Sequence, residues 1–186
     1  DPKDVTKEDR QLAKAVNFGL LYGQSARGLV GYAKNVYGVE MTESRSREIR
    51  DRFFSAYPKL KAWQDASYVT SGTATETRTI TGRRQLLIAG DDFRWSRFAS
   101  SLNTPIQGGS ADGIKHAIIL IAQRLPPGCG LISTVHDELI ALAPVALAEQ
   151  AKAIVEGFMK EAMAELFPSV PVEVECAVCR TWGEKK

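Results

Sequence analysis

Four residues spaced four apart near the beginning of the sequence combine two cations with two aromatic rings: Arg10, Lys14, Phe18 and Tyr22. On an α-helix this spacing advances by about 40° per step, so the four side chains lie along one slowly drifting stripe. A phosphate chain can contact the charged end of the stripe while a sugar or base contacts the rings. The stripe is therefore a candidate surface for a nucleoside triphosphate. The alternative is a buried helix face accompanied by two solvated charges.

The residues around the stripe indicate that it lies on a helix. Thr6 followed by Asp9 forms an N-terminal capping pattern, and Gly23 can adopt the left-handed conformation that ends a helix. The sequence therefore predicts a helix over residues 7–22.

A second group of polar residues, His136, Asp137 and Glu138, stands between the apolar runs 130–135 and 139–143. This pattern predicts a β-hairpin with His136 and Asp137 at or near its turn. Phosphoryl transfer on a nucleotide needs hard oxygen ligands for Mg²⁺, which activates the attacking oxygen and neutralises charge on the leaving group. Asp137 is the best candidate for such a ligand. A polar turn without chemistry is the alternative.

An amide-rich segment between these two groups opens a long apolar stretch. Pro105 suits the first turn of a helix, and Ile114 and Ile121 follow at helical spacing. The amides of Asn103 and Gln107 can donate to acceptors that every base pair presents in the minor groove, which would test pair shape without reading sequence. The alternative is that they only cap the helix.

The run RQLAKAVNFGLLYG, from Arg10 to Gly23, resembles motif B of the family A DNA polymerases, the group that includes bacterial DNA polymerase I. The resemblance implies that Arg10 and Lys14 contact the incoming triphosphate and that Lys14 is a candidate proton donor to the departing pyrophosphate. It also implies that Phe18 packs on the sugar. Tyr22 would then lie at the template side of the nascent pair and contact DNA.

Two further stretches resemble motifs of the same family. VHDE resembles motif C, which implies that Asp137 binds a catalytic Mg²⁺ ion, that Glu138 supports the metal site and that His136 contacts the primer end. NTPIQG is similar to the family's Asn-x-Pro-x-Gln-Gly stretch, which touches primer and template. That similarity favours the DNA-binding interpretation of Asn103 and Gln107.

Arginines near these motifs are further candidates for DNA contacts. Arg83 and Arg84, in the sequence TGRR, also look like family sequence and are candidates for binding DNA phosphates, with a turn carrying solvated charges as the alternative. One position departs from the family, which commonly carries an arginine four residues before the asparagine of NTPIQG. This chain has Ala99 there, with Arg94 and Arg97 nearby as substitutes.

The order of predicted elements indicates the α+β class. By the resemblance, residues 1–70 form a helical fingers-like part, and residues 71–186 form a partial palm with antiparallel strands and the acidic hairpin. The periodicity predicts helices over residues 7–22, 27–36, 43–54 and 147–166, a helix that starts after Pro58, and a helix that opens near Pro105 and reaches residue 121. It predicts strands over residues 75–81, 85–88, 130–135, 139–143 and 172–178.

Composition agrees with a soluble globular protein. The chain has 186 residues, of which 44% are hydrophobic and 25% charged, and its formal net charge is +2. No signal peptide or transmembrane run is present in the sequence, and we expect reduced thiols and a cytoplasmic protein. A zinc site at Cys176 and Cys179 is disfavoured because a strand there would send residues three apart to opposite faces.

The first metal-binding carboxylate of the family lies in an Asp-x-Ser-x-x-Glu stretch upstream of motif B, and no such stretch occurs in this sequence. Because two-metal transfer needs at least two well-placed carboxylates, the sequence is expected to be a C-terminal portion that is largely inactive alone. The parent would be a template-directed DNA polymerase that adds deoxynucleotides to a primer 3′-hydroxyl.

The expected partners are primer-template DNA, deoxynucleoside triphosphates and the remainder of the polymerase, in cis or on a second chain. Binding to a membrane is not expected. Three alternatives stay open at this point: half of a split polymerase, a fragment of a single-subunit RNA polymerase, and a non-catalytic nucleic-acid-binding module.

Overall fold

The computed structural model describes residues 4–87 and 93–184, without the side chains of residues 93 and 94. Within these residues the chain combines seven α-helices with two two-stranded sheets, so the predicted α+β class is confirmed. No helix in this part of the chain is both long enough and apolar enough to cross a membrane. The elements are α1 (Lys7–Leu21), α2 (Ala26–Tyr37), α3 (Glu43–Ala56), α4 (Pro58–Ser71), β1 (Glu76–Arg78), β2 (Arg84–Leu86), α5 (Phe93–Asn103), α6 (Gly109–Ala122), β3 (Gly130–Val135), β4 (Glu138–Leu142) and α7 (Ala148–Leu166).

Helix α1 begins and ends where the sequence predicts, within one residue. The Thr6 hydroxyl accepts a hydrogen bond from the Asp9 backbone N–H at 3.0 Å, and the Asp9 carboxylate accepts one from the Thr6 N–H at 3.0 Å. At the other end Gly23 has a φ of 85°, and a Cβ there would stand 2.5 Å from the Phe98 ring. Because glycine has no Cβ, it can adopt the left-handed backbone conformation here and leave room for the Phe98 ring.

The chain divides into two compact units, and the first contains helices α1 to α5. It comprises the described residues up to Thr77 together with the described residues between Arg84 and Thr104. Its core gathers around Leu20, Leu29 and Phe54, against which Val16, Tyr32, Phe53 and Leu60 pack. The correspondence of this unit to a fingers-like part stays a prediction.

The second unit comprises Arg78–Arg83 and the described residues from Pro105 onward. Helices α6 and α7 pack closely where Gly113 meets Met163, because a Cβ on Gly113 would lie 2.2 Å from the Met163 sulfur. The core of this unit is built from Ala117, Ile121, Val155 and Ala162.

The amide-rich segment lies between two helices. Helix α5 ends at Asn103, Thr104–Gly108 form a π-helical turn, and α6 begins at Gly109. The predicted helix through Ile121 is confirmed, but it begins after Pro105, and the sequence interpretation missed α5. Proline has no backbone N–H to donate, and the backbone here widens into a π turn.

The acidic hairpin forms as predicted. Strands β3 and β4 pair antiparallel, with Gly130 opposite Leu142 and Val135 opposite Glu138, and an irregularity lies between Leu131 and Ser133. His136 and Asp137 form the two-residue turn. His136 has a φ of 55°, in the left-handed region that residues other than glycine rarely adopt and that tight two-residue turns require.

The predicted strand over residues 172–178 was wrong. Exposure does alternate there, since Val172, Val174 and Cys176 are half-buried while Glu173 and Glu175 are exposed. No ladder pairs this segment in the part of the chain that the structure describes. A cavity of about 1150 Å³ is lined by residues of this segment, of β4 and of α7. Alternating exposure reports only which side chains are covered, whereas a strand also needs a neighbouring backbone at hydrogen-bonding distance.

The tip of the hairpin between β1 and β2 is fixed to α6 by Asp112. The Thr81 hydroxyl donates to Asp112 Oδ2 at 2.6 Å, and Arg83 Nε donates to Asp112 Oδ1 at 2.7 Å. A second Arg83 nitrogen, Nη2, donates to the Gly108 carbonyl at 3.1 Å. Burial raises the pKa of Asp112, but hydrogen bonds from Thr79, Thr81 and Arg83 and the Arg83 charge outweigh it and lower the pKa to about 2.

This lowered pKa predicts an acid-sensitive contribution to stability. Because the folded pKa lies below the ordinary value of 3.8, the ionised carboxylate favours folding above that value, and the contribution is lost as the pH falls from about 4 to about 2. We expect Asp112→Asn to reduce the free energy of unfolding near neutral pH by an amount on the order of 1 to 2 kcal/mol. Urea unfolding of the unmodified protein and of Asp112→Asn should show that the difference between their free energies of unfolding shrinks as the pH falls from about 4 to about 2. A difference that stays constant over this pH range would contradict the lowered pKa of Asp112.

Candidate functional site

The stripe lies on the exposed side of α1. Arg10 and Lys14 are exposed, Phe18 is 43% exposed, and Tyr22 is the half-buried C-cap residue directly after the helix. The buried side of the helix is formed by other residues, of which Leu20 is fully covered. The stripe is therefore not the core-facing side of α1, and its cations and its Phe18 ring are open to a ligand.

Gln64, on α4, holds the end of α1 from which Tyr22 projects. Its side-chain Nε2 donates to the Leu20 carbonyl at 2.7 Å and to the Leu21 carbonyl at 2.9 Å, and the residue is only 5% exposed. The last carbonyls of a helix have no partner within the helix, so this amide supplies a donor to the Leu21 carbonyl and a second donor to the Leu20 carbonyl, which also accepts from the Gly23 N–H at 3.1 Å. Sequence reasoning missed Gln64, because a single glutamine within a helical segment carries no signal of what it contacts.

Three residues that the sequence predicts separately lie together in the second unit. Gln107, His136 and Asp137 share a cavity of about 530 Å³. Asp137 and His136 are exposed on the hairpin turn, and Gln107 is exposed on the π turn. The remaining lining residues are Ile106, Ser110, Ala111 and Ile114. The cavity therefore places a carboxylate, an imidazole and an amide around one space.

Glu138, beside Asp137, is held by a residue far along the chain. The indole Nε1 of Trp182 donates to Glu138 Oε1 at 2.9 Å. Glu138 is half-buried at the first position of β4. This hydrogen bond connects Trp182 to the acidic hairpin.

The donor atoms of Asp137 and Glu138 fit a magnesium site in part. Both side chains offer the hard carboxylate oxygens that Mg²⁺ prefers, and Mg²⁺ in proteins commonly binds one or two carboxylates together with waters and substrate phosphates. Among residues 4–87 and 93–184, no group of three or more candidate metal-ligating side chains occurs. The two carboxylates can therefore hold Mg²⁺ only together with further oxygen ligands.

The predicted DNA-binding residues outside the cavity have varied surroundings. Arg83 is bonded to Asp112 and Gly108, whereas Arg84 Nε donates to Glu76 at 2.6 Å. Asn103 is the exposed last residue of α5. Of the two arginines near Ala99, Arg97 is buried at 6% exposure, and the side chain of Arg94 lies outside the described part of the structure.

The predicted site residues are divided between the two units. The stripe, Arg84 and Asn103 belong to the first unit, whereas Arg83, Gln107 and the hairpin residues belong to the second. Within the second unit the structure groups Gln107, His136 and Asp137. Within the first it keeps the stripe on one exposed helix side.

Comparisons with known proteins agree on one family. A family model described as "DNA polymerase family A" matches residues 1–184. Among curated relatives, DNA polymerase I of Aquifex aeolicus is 38% identical over 185 residues, which cover 97% of this chain and 31% of that protein. The thermostable DNA polymerase I of Thermus filiformis is 36% identical over 192 residues, covering 100% of this chain and 22% of that protein.

A solved structure is also similar. It is described as "POL domain of Pol1 from M. smegmatis complex with DNA primer-template and dNTP", and it matches with a TM-score of 0.73 and 26% sequence identity. The match covers 86% of this chain and 28% of the other. This chain therefore spans less than a third of the length of these relatives, and by the family match over nearly its whole length it belongs to DNA polymerase family A.

Proposed function

We propose that this chain supplies the nucleotide-binding helix and one metal-binding carboxylate of a template-directed DNA polymerase. The observation that carries the proposal is the cavity shared by Gln107, His136 and Asp137. Family membership adds support, as does the related structure described as a complex with primer-template DNA and dNTP. Because the chain spans only part of its relatives, the activity is proposed for the complete gene product that contains it.

The proposed reaction joins a deoxynucleotide to a primer. The primer 3′-hydroxyl gives its proton to water and its oxygen forms a bond to the α-phosphorus, while the bond from that phosphorus to the bridging oxygen of the β-phosphate breaks and pyrophosphate leaves. Asp137, with Glu138 beside it, would hold Mg²⁺, which when bound activates the attacking oxygen and neutralises charge on the leaving group. The hydrogen bond from Trp182 restricts the orientation of the Glu138 carboxylate.

On α1 the exposed cations meet the triphosphate. The Arg10 guanidinium can bind phosphate oxygens in a bidentate manner, and the Lys14 ammonium offers both charge and a transferable proton. Lys14 would give that proton to the departing pyrophosphate as a general acid. Phe18 would pack on the sugar, and Tyr22, at the end secured by Gln64, would lie at the template side of the new pair.

In the second unit the cavity residues would hold the primer end. His136 lies in the two-residue turn beside Asp137, and Gln107 offers an amide to minor-groove acceptors that all base pairs share. Asn103, Arg83 and Arg84 would add contacts to the primer-template. These interactions position DNA without reading its sequence, as a polymerase that copies any template requires.

Asp137 is expected to be essential for primer extension. In the complete gene product, Asp137→Asn keeps the size of the side chain but removes the charge, and we expect turnover to fall at least about 100-fold. Asp51→Asn makes the same chemical change on the exposed side of α3 and should leave turnover unchanged. Near-normal extension by the Asp137 variant would refute its assignment.

The two proposed roles of Lys14, binding the triphosphate through its charge and donating a proton to pyrophosphate, can be tested separately. In the same gene product, Lys14→Arg keeps a cation but carries a proton that it does not release, so KM for the nucleotide should stay near normal while kcat falls about 10- to 100-fold. Lys14→Ala should impair both parameters. Lys59→Ala, at an exposed lysine of α4, is the control for loss of one charge. Restoration of kcat by arginine would eliminate the proton-donor role.

The 186 residues alone are expected to show no measurable primer extension. Two-metal transfer needs carboxylates that hold both metal ions, and the Asp-x-Ser-x-x-Glu stretch that carries the family's first metal-binding carboxylate does not occur in this sequence. The measurement is extension of a labelled primer by the purified chain, with the complete gene product as the positive control. Robust extension by the chain alone would show that no further carboxylate is required.

A further inference from the structure

The ion pair between Arg83 and Asp112 is unequal in burial. The Asp112 side chain is 6% exposed, whereas the Arg83 side chain is 44% exposed. A buried carboxylate needs donors to offset the loss of water, and here Thr81 and Arg83 supply them at 2.6 and 2.7 Å. The carboxylate is therefore enclosed, while a large part of the guanidinium side chain stays at the surface.

The surface guanidinium is held at two of its nitrogens. Nε donates to Asp112 and Nη2 donates to the Gly108 carbonyl, so two acceptors from α6 and the preceding turn fix both its position and its plane. A free arginine side chain loses substantial rotamer entropy when it binds a ligand, and one fixed beforehand loses less. Arg84 differs, because its Nε bonds to Glu76 on the paired strand of the same hairpin.

The fixed guanidinium is attached to the backbone that carries a cavity residue. Gly108, whose carbonyl accepts from Arg83, directly follows Gln107, and Gln107 lines the cavity with His136 and Asp137. A hydrogen-bond donor of fixed orientation is thereby tied to the segment that is proposed to contact the primer.

We propose that Asp112 is a positioning residue, which fixes the Arg83 guanidinium so that Arg83 donates hydrogen bonds to the primer-template beside Gln107. This inference rests on the proposed function. Asp112 is enclosed and acts only through Arg83, and the Thr81 hydroxyl satisfies its second oxygen. Because the pair is formally neutral, Arg83 contributes directed hydrogen bonds to DNA more than net positive charge.

This role and a purely electrostatic role predict opposite results for one substitution. Asp112→Asn removes a negative charge near the proposed DNA surface, so electrostatics alone would tighten binding to the polyanionic primer-template. Loss of positioning would weaken binding instead, because the amide presents a weaker acceptor to Arg83. Whether Asp112→Asn tightens or weakens binding of the primer-template therefore distinguishes the electrostatic role from the positioning role.

The experiment measures the dissociation constant of a fluorescent primer-template for the complete gene product and its variants at fixed ionic strength. We expect Asp112→Asn and Arg83→Ala each to weaken binding about 10-fold, and the double variant to be no weaker than Arg83→Ala alone. Glu43→Gln, which removes the carboxylate paired with Arg47 on α3, away from the proposed DNA contacts, should leave binding unchanged or slightly tighter. Unchanged or tighter binding by Asp112→Asn, or fully additive losses in the double variant, would overturn the proposal.

A third variant separates positioning from general loss of structure. Thr81→Val removes one donor to Asp112 but leaves the bond to Arg83, so it should lower the melting temperature with little effect on DNA affinity. If its affinity falls in step with its stability, the positioning role is wrong. The unmodified protein also distinguishes failure of the proposed function: if it neither binds nor extends a primer, that function fails, whereas normal extension with normal binding by Asp112→Asn removes only the role of Asp112.

Discussion

A buried carboxylate that must be satisfied by donors organises the second unit. Asp112 is enclosed on α6, and the donors that offset its desolvation come from the tip of the β1–β2 hairpin, about thirty residues earlier in the chain. The same arginine that satisfies it also binds the Gly108 carbonyl, at the junction of the π turn and α6. Asp112 and Arg83 thus connect the hairpin tip to the first turn of α6, where Ser110 and Ala111 line the neighbouring cavity.

The features that sequence reasoning predicted well are those specified by neighbouring residues. The capping box of α1, the glycine at its end and the two-residue turn of the acidic hairpin depend on contacts within a few positions, and all three form as expected. Patterns of this kind are readable because backbone hydrogen bonds and steric limits act locally. The candidate site residues were chosen in the same way, from their types and local spacing, and their roles stay predictions.

The features that sequence reasoning missed depend on partners distant in the chain. Gln64 serves a helix end more than forty positions away, and nothing in its own segment indicates that role. Residues 172–178 alternate like a strand, yet an alternating pattern does not provide the neighbouring backbone that a ladder needs. Arg83 was expected as a solvated charge or a phosphate ligand, and its bond to Asp112 became visible only when the hairpin and α6 were placed together.

The hydrogen bond from Trp182 to Glu138 has a consequence for the order in which the acidic hairpin matures during synthesis. Strands β3 and β4 join residues close in sequence, so the hairpin can pair soon after both strands are available. The donor that restrains Glu138 follows 44 residues later, after the whole of α7. During translation the hairpin backbone can therefore be complete before the Trp182 donor is available to Glu138. The hydrogen bond that orients this carboxylate thus forms only after α7 has been synthesised.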